Sequence, residues 1–248
     1  MIPVANPVPC RQCPLADCPG LREHEPAEIP HIEAFKTGEV RLERGEVLIE
    51  EDVTRGGLYT LLDGIMMRYR TLEDGRRQIV NFMFPGDLIG LEGAFGEPAS
   101  HSVEALLPSR LCTFDSARYY DLIVAQPSLG YDITWLAAKE ETALEEHLVA
   151  LGRRSAKERV AYLAVWLVER ARGTCMATSD NRLAVTITQT QLADMLGLSL
   201  VHTNRTIKAL EREKLVIWRQ SGIEIPDMET TAEFSHSYLS KEKPRPFL

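Results

Sequence analysis

The stretch that most constrains this chain runs from Ile187 to Leu215, ITQTQLADMLGLSLVHTNRTIKALEREKL. Thr188 is a capping residue, and Leu192, Met195 and Leu196 after it fall on one helical face. Gly197 suits the left-handed residue that ends that helix. Ser199 then caps a second helix from Leu200 to about Glu213, in which Thr203, Ile207 and Leu210 keep helical spacing and turn inward. Val201, His202, Asn204, Arg205 and Lys208 are left on its outer side, while Thr188, Gln189 and Thr190 open the first helix. A short helix, a tight turn and a second helix with a polar outer half is the geometry that enters a DNA major groove. A plain helical hairpin in some other domain shares the same local pattern.

The formal charge of −8 argues against nucleic acid, but its distribution reverses that. Between Leu151 and Gln220 stand 12 Lys and Arg against 6 Asp and Glu, leaving 16 against 30 for the rest. A basic module on an acidic body is what a DNA-binding domain joined to a sensor shows. No apolar run is long enough to span a bilayer. The N-terminus, MIPVANPVPC, lacks the basic-then-apolar order of a secretory signal. The expectation is a cytoplasmic protein with no membrane partner and no structural disulfides.

Residues 1–22 are Pro-rich, hold Cys10, Cys13 and Cys18, and cannot build a core alone. From Gly38 to Asp115, short β-runs are cut by glycine turns such as Asp63-Gly64 and Asp74-Gly75, which predicts an antiparallel sandwich or barrel. The period then changes. Pro127 suits the first turn of a long helix to about Leu151. Its apolar stripe, Leu129, Ile133, Leu136, Leu144, Leu148 and Leu151 with Glu140 between, reads as core packing or as a dimer seam. Near a dimer axis, Glu140, Glu141, Glu145 and Glu146 would oppose association. Ser155–Ala171 predicts another amphipathic helix, LVIWRQSGIEI a hairpin wing, and the polar run from Asp227 a mobile tail. The predicted class is α+β, with a cysteine-rich segment over 1–22, a β-barrel sensor over 23–126, a dimerisation helix over 127–154 and a winged helix-turn-helix with its tail over 155–248.

A β-barrel, a long linking helix and a winged helix-turn-helix in that order resemble the Crp/Fnr family of bacterial transcription regulators. FPGDLIGLEGAF, SAKERVAYLAVWL and LADMLGLSLVHTNRTIKAL carry the resemblance, which covers roughly residues 30–226. It implies a jelly-roll barrel like those that bind cyclic nucleotides, and a homodimer on a palindromic double-stranded DNA site. Cyclic-nucleotide-binding members place Glu after the second Gly of the barrel turn and an Arg-Ser pair on the next strand. Here Gly90 is followed by Leu91 and the pair position reads His101-Ser102, so cyclic AMP is disfavoured.

Cys10-x2-Cys13-x4-Cys18 with Cys112 on a barrel strand resembles the ligand set of the Fnr oxygen sensors, which implies a 4Fe-4S cluster on these four thiolates. The last gap departs from the Fnr arrangement, which puts the loop geometry in doubt. On that resemblance, the cluster orders the N-terminal segment, the long helix dimerises, and oxygen reverses both. Zinc, a thiol switch and no metal at all stay open for the same cysteines. Cys175 reads as a spare thiol. Arg205 is the expected reader of guanine, Asn204 of adenine or phosphate, and His202 of phosphate; Thr188, Gln189 and Thr190 are expected at the DNA backbone. Val201 stands where Fnr proteins have Glu, which implies a different half-site. By resemblance, the loop carrying Thr71, Glu73, Asp74 and Arg76 faces RNA polymerase; by its residues it is a plain hairpin turn. A barrel that binds haem or a small molecule is the remaining regulator reading. A cupin-type metalloenzyme needs clustered histidines, and no two of the six share close strand spacing. No enzymatic activity is therefore expected.

Overall fold

The structure, a computed structural model, describes residues 1–54, 57–178, 181–239 and 243–248. The sensor begins with β1 (Ile2–Pro3), α1 (Ile29–Phe35) and β2 (Lys36–Leu42), followed by β3 (Val47–Ile49), β4 (Leu58–Asp63), β5 (Met66–Thr71), β6 (Arg77–Met83) and β7 (Leu88–Ile89). After β8 (Ser102–Ala105) and β9 (Ser109–Phe114), the short α2 (Tyr119–Ala125) leads into α3 (Pro127–Arg153). The strands form two antiparallel sheets, ordered β1-β2-β9-β4-β7 and β3-β8-β5-β6. Their alternating apolar residues meet in one core, with Val40, Leu61 and Leu111 from the first sheet and Met66, Val103 and Ala105 from the second. Among the described residues no ladder joins the two sheets, so the predicted barrel is a jelly-roll double sheet.

Helix α4 (Ala156–Gly173) starts with a capping box between Ser155 and Glu158. It is buried along most of its length, because it packs on the sheet residues Ile65, Ile79, Phe82 and Phe84 as well as on the winged helix. The winged helix comprises β10 (Ala177–Thr178), β11 (Arg182–Leu183), α5 (Gln189–Leu196), α6 (Leu200–Arg212), β12 (Ile217–Arg219) and β13 (Gly222–Glu224). Its strands order as β10-β11-β13-β12, so the wing is where the sequence places it. The final helix, α7 (Met228–Phe234), was not expected; Asp227 caps it by accepting from Thr230 N–H at 3.0 Å.

Residues 1–22, which cannot build a core alone, are tethered to the sensor. β1 pairs with β2, and Leu15, Cys18 and Leu21 are buried with Cys112 in one apolar cluster. Two other expectations are corrected here. The described part of the C-terminal run is not mobile. Arg22 N–H donates to Arg245 O at 2.7 Å, Arg245 N–H donates to Gly20 O at 2.8 Å, and Phe247 and Leu248 are buried. The first two residues of KEKPRPFL, with residue 240, lie outside the described residues. Finally, Leu129, Ile133 and Leu136 are buried inside the protomer, at 0%, 1% and 6% exposure, so they cannot meet a partner. The face that α3 turns outward is Tyr131, Thr134, Ala138, Glu141, Glu145 and Leu148, spaced by threes and fours. Leu144 and Leu151 flank it, half-buried.

Glu140 is likewise tied inward. It accepts from Asn81 Nδ2 at 2.8 Å and pairs with Arg68. The polar chain continues deeper, from Asn81 Oδ1, which accepts from His147 Nε2 at 3.1 Å, to His147 Nδ1, 2.8 Å from the Tyr162 hydroxyl. Sheet, α3 and α4 are thus hydrogen-bonded as one unit. Burial drives the His147 pKa down to about 4, so the ring is neutral and Tyr162 is its donor.

Candidate nucleic-acid interface and cysteine chamber

Thr188 caps α5 reciprocally with Gln191: its hydroxyl accepts from Gln191 N–H at 3.1 Å, and its own N–H donates to Gln191 Oε1 at 2.9 Å. Gly197, at φ +62°, turns the chain, and the Ser199 hydroxyl accepts from His202 N–H to start α6. Thr203, Thr206, Ile207 and Leu210 lock α6 into the core. Val201, His202, Arg205 and Lys208 are exposed on its outer face, beside exposed Thr188, Gln189 and Thr190. Asn204 is half-buried and donates to Gln189 Oε1 at 3.0 Å, so one of its amide hydrogens ties the two helices together. The expected DNA-reading residues are thus exposed on α6 and at the start of α5, with Asn204 half-buried between them.

The unit is braced against its own sensor. Gln78 Nε2 donates to Met195 O at 3.1 Å, and Arg77 pairs with Asp194 at 3.3 Å. A second brace is buried at Asp87, in the FPGD turn. Its Oδ1 accepts from Arg170 of α4 at 2.6 Å and from Arg245 of the tail at 2.9 Å, and its Oδ2 accepts from Phe84 N–H at 2.8 Å. Full burial opposes ionisation, yet the two guanidiniums hold this carboxyl below the usual range. The turn carrying Thr71, Glu73, Asp74 and Arg76 is fully exposed and closed by an Asp74–Arg76 pair.

At the other end of the sensor, Cys10, Cys13 and Cys112 line one chamber with His24, Lys36, Glu39 and Leu248. Short helical turns at Cys10–Gln12 and Pro14–Asp17 present the first two sulfurs; strand β9 presents the third. Glu39 anchors the approach. Its carboxylate accepts from Val8 N–H and Lys36 Nζ, each at 2.7 Å, and from Arg110 Nε at 2.7 Å. Local sequence could not reveal this anchor, because β2 and β9 meet only in the folded sheet. Burial pushes the Cys10 thiol up to about 11 and the Cys112 thiol up to about 12, against the pull of Lys36. These are protonated thiols at neutral pH.

The four expected ligands do not all converge. Cys18 is turned to Cys175 as a disulfide pair, with their Cα atoms 5.3 Å apart, which corrects both the spare-thiol reading of Cys175 and the expectation of no disulfide. Among the described residues no three His, Cys, Asp or Glu side chains stand where they could hold a metal. The chamber measures about 10 Å³, room for about one water. The donor chemistry nevertheless fits a cluster: four cysteines border one apolar cluster, beside a lysine that offsets thiolate charge. The space does not fit a cluster while Cys18 is turned to Cys175 and the chamber is closed.

A jelly-roll sensor, a long helix and a winged helix with an exposed reading face define a DNA-binding transcription regulator. Residues 39–126 match the cyclic nucleotide-binding domain, and residues 158–232 match the Crp-like helix-turn-helix domain. The chain belongs to the Crp/Fnr family. It is 33% identical over 225 residues to the nitrogen fixation regulation protein FixK of Bradyrhizobium diazoefficiens, covering 88% of this chain and 90% of that protein. It is 25% identical to the transcriptional activator protein FnrL of Cereibacter sphaeroides, covering 84% and 83%. The solved structure of FixK2 from Bradyrhizobium japonicum superposes with a TM-score of 0.70 at 24% identity, over 83% of this chain and 98% of that one. No helix among the described residues is long and apolar enough to cross a membrane.

Proposed function

We propose that this regulator senses oxygen or redox state through its cysteines and answers by changing its hold on DNA. The observation that carries this is that Cys10, Cys13 and Cys112 line one chamber, with Cys18 in the same apolar cluster. These four would hold a 4Fe-4S cluster, which supplies an oxygen-labile centre when bound. The chain's own residues do the rest. Glu39 pins residue 8, just ahead of Cys10, so the first sulfurs are presented from a fixed point. Leu129 and Ile133 of α3 share the apolar cluster of Cys18 and Cys112, so repacking there is felt along the helix.

The dimer seam is the outward face of α3, with Tyr131, Ala138 and Leu148 supplying apolar contact. Glu141 and Glu145 on that face meet like charges across a two-fold axis and weaken the pairing. The dimer places two copies of α6 on a palindromic site, one DNA turn apart. Arg205 reads guanine, Val201 meets a thymine methyl, Lys208 and His202 hold phosphate, and the exposed turn at Thr71–Arg76 is offered to RNA polymerase.

A second reading has its own observation. A cavity of about 480 Å³ lies between the sheet and α3, lined by Arg68, Glu92, His101 and Glu140 among others, and would admit a small-molecule effector. Leu91 and His101 leave the cyclic phosphate without its family partners. Anaerobic purification with iron and sulfide assay, a visible spectrum before and after air, and DNA binding in both states separates the readings. The cluster reading expects a broad absorbance that bleaches in air, and Cys112→Ser should remove absorbance and DNA binding together. Unchanged DNA binding by that variant would sink it.

A further inference from the structure

Cys175 stands where a helix favours glycine. After α4, Thr174 N–H and Met176 N–H both return to Ala171 O, at 3.3 and 2.9 Å, and Cys175 takes φ +62°. That left-handed position after a helix disfavours any side chain with a Cβ. A disfavoured residue held there calls for a reason beyond packing, and the structure provides one. Two glycines bring the N-terminal segment against this turn. Gly20 N–H donates to Gly173 O at 2.8 Å, and a Cβ on Gly20 would meet Gly173 Cα at 2.5 Å. Only with that approach do the Cα atoms of Cys18 and Cys175 come to 5.3 Å, a span a disulfide bridges. Cys18 is buried, whereas Cys175 is exposed to a dissolved oxidant.

We propose that Cys18 and Cys175 are a redox couple. Closed, it fastens the N-terminal segment to the end of α4, where the chain enters the winged helix, and removes Cys18 from the other three cysteines. The second clause rests on the cluster reading above; the first does not. The oxidant is hydrogen peroxide. The Cys175 sulfur attacks one peroxide oxygen, the O–O bond breaks, and a sulfenic acid and one water form. The Cys18 sulfur then attacks the Cys175 sulfur, the S–S bond forms, and the sulfenic oxygen leaves as a second water. Two thiols are oxidised and one hydrogen peroxide is reduced. A thiol reductant reverses it.

The test uses the full chain, free of iron and fully reduced, then treated with equimolar hydrogen peroxide and trapped with a maleimide. Peptide mapping without reductant should find Cys18 joined to Cys175, with Cys10, Cys13 and Cys112 still labelled. Cys175→Gly, which suits the left-handed backbone and should fold, must leave Cys18 labelled. Label on Cys18 that peroxide does not change, or Cys18 joined to Cys10 or Cys13, overturns the couple. Anaerobic loading with iron and sulfide tests the second clause. Oxidised wild type should lose iron uptake and regain it on reduction, while Cys175→Gly takes up iron equally after either treatment. Equal uptake by oxidised and reduced wild type overturns the competition. If the link forms but the reduced protein takes up no iron, the cluster reading fails and the couple stands.

Discussion

Asp87→Asn removes one charge and little volume at the point where the sensor turn, α4 and the C-terminal run meet. In the wild type, one carboxylate accepts from Arg170, Arg245 and Phe84 N–H while only 6% exposed. An asparagine can still accept from Phe84, but it leaves two guanidiniums facing a neutral amide. Removing one partner of a buried pair costs about 3–5 kcal/mol. The arginine side chains keep 14% exposure, so some resolvation places the expected loss near the lower end, about 3 kcal/mol. For a chain of this size that is a fall in Tm of about 6–12 °C. Thermal unfolding by circular dichroism at pH 7 measures it. The sign of the pH dependence follows from the depressed carboxyl. Its contribution is fully present above the unfolded-state pKa and disappears as pH falls through the lower folded value. The gap between wild type and variant should therefore narrow in strong acid. A variant within about 1 kcal/mol of wild type at pH 7, the range of an exposed pair, would refute the argument.

His147 is neutral in the fold, with its pKa lowered to about 4 from an ordinary 6.5, so its contribution is full above pH 6.5 and is lost as pH falls toward 4. The loss amounts to roughly 3 kcal/mol, and His147→Phe should flatten that limb of a stability–pH curve; an unchanged limb would show that the ring is not the cause. Arg205→Ala should cost about 1–3 kcal/mol on the cognate site and less on variants at the contacted base, measured by competition binding; equal weakening on all sequences would rule out base reading. Phe247→Ala should undock the C-terminal run whose Leu248 lines the cysteine chamber, and so raise the rate at which Cys10 and Cys112 react with a maleimide; unchanged rates would mean that this run does not shield the sulfurs.

The helix-turn-helix was legible because its signals are local. Thr188, Gly197 and Ser199 each act within one turn of themselves, and the inward positions repeat with the helical period. The sandwich was legible for the same reason, from glycine turns between short apolar runs. What failed was whatever depends on distant chain. Period identified an apolar stripe on α3 but not what covers it: the N-terminal segment and the sheet claim Leu129 and Ile133, and Leu136 is buried as well. Asp227 is a good cap, yet α7 is only seven residues long, and its buried side, Met228, Thr231 and Ala232, is too short to show a period. Glu39 meets Arg110, and Cys18 meets Cys175, across separations of 71 and 157 residues that no local pattern encodes.

Two routes lead from the cysteines to the DNA-reading helix, and their magnitudes differ. The dimer route relies on Glu141 and Glu145, both exposed, and exposed charges of this kind are worth about 0–1 kcal/mol. The route inside the protomer relies on packing. Residues 18–22 lie between the end of α4, through Gly173 and Cys175, and the C-terminal run, through Arg245. Beyond Arg245, Phe247 is 1% exposed, and its ring centroid lies 4.2 Å from that of His24, tilted by 54°. Burying such a side chain is worth about 1.5–3 kcal/mol, which matches the 1–3 kcal/mol of a typical allosteric coupling. The polar chain from Arg68 through Glu140 and His147 to Tyr162 also holds α3 and α4 to the sheet, which resists sliding of α3 by itself. Leu248 lines the cysteine chamber, so a rearrangement there touches the C-terminal run directly. Packing through residues 18–22 and the C-terminal run is therefore the route whose magnitude matches an allosteric coupling.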